Sequence, residues 1–67
     1  MRYIVLEDFK TKNFHVRKGN MIIDNGYNVL IVYYDSVKQE IVSIEDELKD
    51  NKQVYELQNE GLLYQKF

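Results

Sequence analysis

A mainly β fold with one late helix is predicted by three features of this 67-residue sequence. Short runs rich in β-branched and aromatic residues recur along the first two thirds, separated by turn chemistry. Asn25-Gly26 lies between two apolar runs, a strong local hairpin signal. Late in the chain, alternation gives way to apolar residues three apart, Val54 and Leu57, and Gly61 follows where a helix would stop.

The elements follow in order. Arg2–Leu6 reads as a first strand, and "EDFKTKN" as a charged loop. Phe14 and Val16 alternate with His15 and Arg17, which predicts a short second strand. "KGN" is turn chemistry, because glycine reaches positive φ without steric cost. Met21–Asp24 is a third strand, expected to pair with Tyr27–Leu30 through a two-residue type I′ turn. The fourth strand runs on to Tyr34, "DSVKQ" turns the chain, and Glu40–Ile44 forms a fifth. Asn51 would cap a helix from Lys52 to Glu60, with one earlier helical turn at Ile44 to Lys49. Gly61 and Leu62 would close that helix, and "LLYQKF" would end the chain as a strand.

Five or six short strands and one helix in 67 residues suit a small, strongly bent antiparallel meander in a single domain. That strand count and size match an SH3-like barrel, with an OB-like barrel as the alternative. The chain has no proline to protect a sheet edge, so Lys38, Glu40, Lys66 and the charged 7–12 loop are the candidates for that task.

The fourth strand raises a packing problem. "YNVLIVYY" carries no charge over Tyr27 to Tyr34, and both of its alternating sides are mostly apolar. In a barrel, one side would pack inward against Ile4, Leu6, Met21, Ile23 and Ile41. The other would need Val54, Leu57 and Leu62 of the helix segment laid across it. One short helix presents few apolar groups, which leaves Tyr27, Tyr33, Tyr34 and Tyr55 as a surplus. Tyrosine pairs a large ring with a polar tip and is favoured at interfaces. The competing assignment places all four in the core or at its rim.

Composition narrows the function classes. The absence of cysteine removes disulfides and thiolate metal sites, and the single histidine, His15, removes multi-histidine sites. No cofactor is expected. The apolar stretch at the start is too short for a signal peptide, and no run approaches the ~20 residues that span a bilayer. A cytoplasmic protein is the expectation. One histidine without clustered partners seldom serves as a general base, and the three glycines fit no phosphate-loop spacing, so an enzyme is not expected.

Charge is uneven: residues 1–24 hold five Lys/Arg against three Asp/Glu, and residues 25–67 hold four against eight. The acidic run Glu45, Asp46, Glu47 and Asp50 would, on a helix, gather on one face and dock on a basic groove. Its plainer role is a solvated helix start complementing the helix dipole. The basic third offers Arg2, Lys10, Lys12, Arg17 and Lys18, with Tyr3, Phe9 and Phe14 as stacking surfaces for single-stranded nucleic acid. The net charge of −2 opposes that use.

The segments "RYIVLEDF", "VRKGN" and "VYELQNEGLLYQKF" resemble a pattern in small phage and prophage proteins. There a leading strand ends in a lysine-rich loop, a glycine turn follows, and a helix-Gly-Leu segment closes the chain. The resemblance covers about half the chain, and its motifs are packing signals. It implies an SH3-like module of phage origin in a bacterial host cell and carries no functional residue. The expected function is a binding module working by protein–protein contact, as a phage-type inhibitor of a bacterial factor or with a second copy. A nucleic-acid-binding barrel and a structural or oligomeric virion component are the alternatives.

Overall fold

The computed structural model describes residues 1–45, 47–48 and 51–66. Its main sheet has five antiparallel strands: β1 (Arg2–Val5), β4 (Met21–Asp24), β5 (Val29–Asp35), β6 (Glu40–Ile44) and β7 (Leu63–Lys66). Their spatial order is β6-β5-β4-β1-β7. A two-residue pair, β2 (Phe9–Lys10) with β3 (His15–Val16), forms a separate hairpin. One helix, α1, spans Asn51–Asn59. The α+β class is as the sequence predicts, and no helix among the described residues is long and apolar enough to cross a membrane.

The barrel expectation is corrected. β6 pairs only with β5 and β7 only with β1, so the sheet is open, with those two strands as its edges. The edges carry Glu40 and Lys66, two of the residues expected to discourage edge pairing.

The sheet has one covered side. Alternation places Tyr3 and Val5 of β1, Ile22 of β4, Val29 and Ile31 of β5, and Leu63 of β7 on it, and all six are buried. Ile22 and Ile31 face each other across the β4–β5 ladder, and Tyr3 faces Ile22 across β1–β4. Val54 of α1, Leu48 and Val16 complete this core, with Phe9, Phe14 and Leu57 packed against it. The lid over the sheet is therefore α1, the residue 47–48 bend and the β2–β3 hairpin.

The β4–β5 turn departs from the expected geometry. Asp24 pairs with Val29, so the loop is four residues, Asn25–Asn28. The Asn25 side-chain oxygen accepts from the N–H groups of Tyr27 and Asn28, both at 2.9 Å, and Asp24 Oδ1 accepts from Gly26 N–H at 3.0 Å. Such side-chain-closed turns stabilise a wider loop than the two-residue type. The register moves by two residues, so every side chain keeps its expected side.

The helix end matches its sequence signature. Gly61 takes φ +81°, its N–H bonds to Gln58 O, and Leu62 N–H bonds to Leu57 O. These are the two bonds of a Schellman motif, and they satisfy carbonyls that α1 would leave open. At the other end Asn51 is already helical, one residue earlier than expected. With its side-chain amide turned so that the nitrogen faces Asp24, the orientation the surrounding donors and acceptors favour, Asn51 donates to Oδ2 at 2.8 Å and Oδ1 at 3.2 Å. The expected earlier turn at Ile44 to Lys49 falls partly outside the described residues, and within them Glu47 and Leu48 form a bend.

Candidate functional site: the open face of the sheet

The uncovered side is built from three rows of side chains. The ladders align Leu30, Ile23, Arg2 and Lys66 in one row, and Ser43, Val32, Met21, Ile4 and Tyr64 in the next. Ile41 and Tyr34 start a third row on β6 and β5, and Leu6 follows β1 at the same level. Glu45 follows β6 in step with Ile41 and Ser43, which continues the first row to the far edge. The face is apolar through its middle and charged at two corners.

None of these side chains is buried. Ile41 is 75% exposed, and Tyr34 and Tyr64 are each 62% exposed. Ile4, Met21, Ile23, Leu30 and Val32 are half-buried, shaded by one another. A shallow groove of about 350 Å³ runs over Met21, Val32, Tyr34 and Ile41, with Lys18 at one end. Of the two sides of the middle strand, it is Leu30, Val32 and Tyr34 that share a side with Ile4, Leu6, Met21, Ile23 and Ile41. They line an open surface instead of a barrel interior, because α1 lies on the opposite side.

The expected tyrosine patch is dispersed. Tyr34 lies on the open face. Tyr33 points to the covered side and rests on Phe14, ring centroids 5.1 Å apart and tilted by 42°. Tyr27 stands at the tip of the four-residue loop, 98% exposed, and Tyr55 lies half-exposed on α1. Tyr64 was absent from the expected site. Its signal was available, since an inward Leu63 sends its neighbour outward.

The acidic run does not form one face among the described residues, and Asp46 and Asp50 lie outside them. Glu47 turns inward. The Thr11 hydroxyl donates to its Oε1, and Asn13 N–H donates to the same oxygen at 3.1 Å. Thr11 Oγ1 also accepts from Phe14 N–H at 3.1 Å, so Glu47 fastens the 11–14 turn to the segment leading into α1. These donors, the Thr11 hydroxyl foremost, hold the Glu47 carboxyl below its ordinary range.

The basic residues also separate. Asp8 accepts from Lys18 N–H at 2.8 Å and lies 3.3 Å from the Arg17 guanidinium, with His15 Nε2 at 4.0 Å. The Lys18 backbone bond is the main cause of its lowered pKa, followed by Arg17. Lys10 and Lys12 sit on the small hairpin, and Arg2 is on the open face. Of the proposed stacking rings, Tyr3 is fully buried and Phe9 and Phe14 pack against the core. Among the described residues, no group of three His, Asp or Glu side chains is placed to hold a metal ion.

Both lowered carboxyls make the hairpin acid-sensitive. A carboxyl held below its unfolded value contributes stability above pH ~4, lost as pH falls through the folded-state value. The urea midpoint is expected to drop between pH 6 and pH 2.5. In a Glu47→Gln, Asp8→Asn variant the slope should be shallower; an unaltered slope would show that these bonds carry no linkage.

The chain matches no family model, no curated protein and no solved structure.

Proposed function

We propose that this chain is a non-enzymatic binding module that acts by protein–protein contact through the open face of its sheet. The observation that carries this reading is a five-stranded face with an apolar centre whose side chains are exposed or half-buried, with none of the other described elements laid across it. Contiguous apolar surface on this scale marks an interaction site more often than scattered exposed residues do. Sheets with one apolar face pack against one another face to face. The likeness of the chain's ends to small phage proteins favours a phage-type inhibitor working in the cytoplasm of a bacterial host.

The nucleic-acid alternative has less support. Its aromatic residues are spent on the core, and Arg17 is committed to Asp8.

Affinity capture with tagged chain and with an Ile41→Glu, Tyr64→Glu variant tests the reading. The wild type is expected to retain a protein, its own untagged copy included, that the variant loses while circular dichroism stays unchanged. Recovery of the same set by both would overturn it.

A further inference from the structure

We propose that the occupant of the open face is a second copy of this chain, packed face to face about a two-fold axis running along β4. This rests on reading that face as a protein interface, and it names the partner.

The argument is the placement of charge. With the β5–β6 register continued one residue past its last pair, Ile31 with Ile44, the first row reads, from one edge to the other, Glu45, Leu30, Ile23, Arg2, Lys66. Its anion is at the β6 edge and its two cations at the β1–β7 edge. A two-fold along the central strand lays the β6 edge of one copy on the β7 edge of the other, at the same height. Each Glu45 then lies opposite the Lys66 of its mate, with Arg2 of that copy one strand (~4.8 Å) further in, opposite Leu30. The same operation sets Val32 against Ile4, Ser43 against the Tyr64 hydroxyl, and Tyr34 against Leu6. Met21 meets its own counterpart on the axis, and methionine adapts readily to self-packing.

The other in-plane two-fold, across the strands, fails. It would put Arg2 and Lys66 over Leu6 and Leu62 and leave Glu45 opposite Ile41, so that no charge of the row faces an opposite charge, whereas the first axis pairs Glu45 with Lys66. Aligned sheets pack with strands within about 30°, which the first axis allows. Five strands at ~4.8 Å spacing and three rows of side chains offer roughly 500 Å² per copy. That is smaller than a standard specific interface, as expected of a weak, reversible dimer.

Sedimentation equilibrium on the full chain tests the proposal. The mass is expected to rise from 8.1 kDa toward twice that value between 1 μM and 1 mM. Met21→Glu places like charges on the axis and should leave a monomer. Glu45→Lys alone, and Arg2→Glu with Lys66→Glu, should each weaken self-association about three- to tenfold. Mixing those two proteins should restore it, because only the mixed pair has every charge matched. These three positions are exposed, so the swap remains informative if Met21→Glu does not fold.

A monomer at 1 mM overturns the proposal, and if capture still depends on Ile41 and Tyr64 the binding-module reading survives with a different partner. A dimer indifferent to Met21→Glu, or a mixture no tighter than its components, overturns it in favour of edge-to-edge strand pairing.

Discussion

Ile31→Ala is expected to cost about 2–5 kcal/mol, a large share of the protein's whole stability margin. Ile31 is fully buried at the centre of the sheet, opposite Ile22 and beneath the lid formed by α1 and the small hairpin. Removing its outer carbons leaves a cavity that the flanking strands cannot close, since their ladders hold them in place. A domain of this size has a margin on the order of 5 kcal/mol. Ile41→Ala on the adjacent strand is the control: 75% exposed, it should change stability by no more than about 0.5 kcal/mol. Urea unfolding of the two variants measures the difference. Equal losses would mean that both sides of the sheet are enclosed, and the proposed interface would disappear with them.

Val54→Asp should be at least as damaging, on the order of 3–5 kcal/mol. Val54 is the one buried residue of α1 and has no exposed surface. A carboxylate there would lose its water within the core cluster that includes Tyr3, Ile22, Ile31 and Leu63, all of them uncharged. The helix would undock, and the covered side of the sheet would open with it. Tyr55→Asp, one residue on and half-exposed, should shift the urea midpoint little. If the two substitutions cost the same, α1 is not held by Val54.

How much of this was legible depended on how local the signal is. Glu40–Ile44 was readable to the residue, because a turn closed by Asp35 precedes it and the β-branched pattern runs through it. The helix stop at Gly61 was equally legible, since positive φ and the Schellman bonds are properties of six adjacent residues. Phe9–Lys10 was missed, because two residues carry no period and their partner is His15–Val16 across a loop. Leu48 was missed for a related reason. It lies between Glu47 and Lys49 in a charged run and becomes core only when the chain folds back over the sheet. Glu47 looked like part of a charged face. Its real partners are Thr11 and Asn13, more than thirty residues away.

The uncharged middle strand shows where the boundary falls. Alternation along Tyr27–Tyr34 already sorts its side chains into two sets, because a strand has a period of two and nothing else can change it. The local sequence therefore settled which residues stand together, and even a four-residue loop in place of a two-residue one left that sorting intact. Which set is enclosed was decided elsewhere. It depended on the side to which the chain carries α1 and the small hairpin, and on whether β6 and β7 meet. Both are contacts between distant segments, and strands with two apolar sides bias that choice little. One side received the lid, and the other was left exposed.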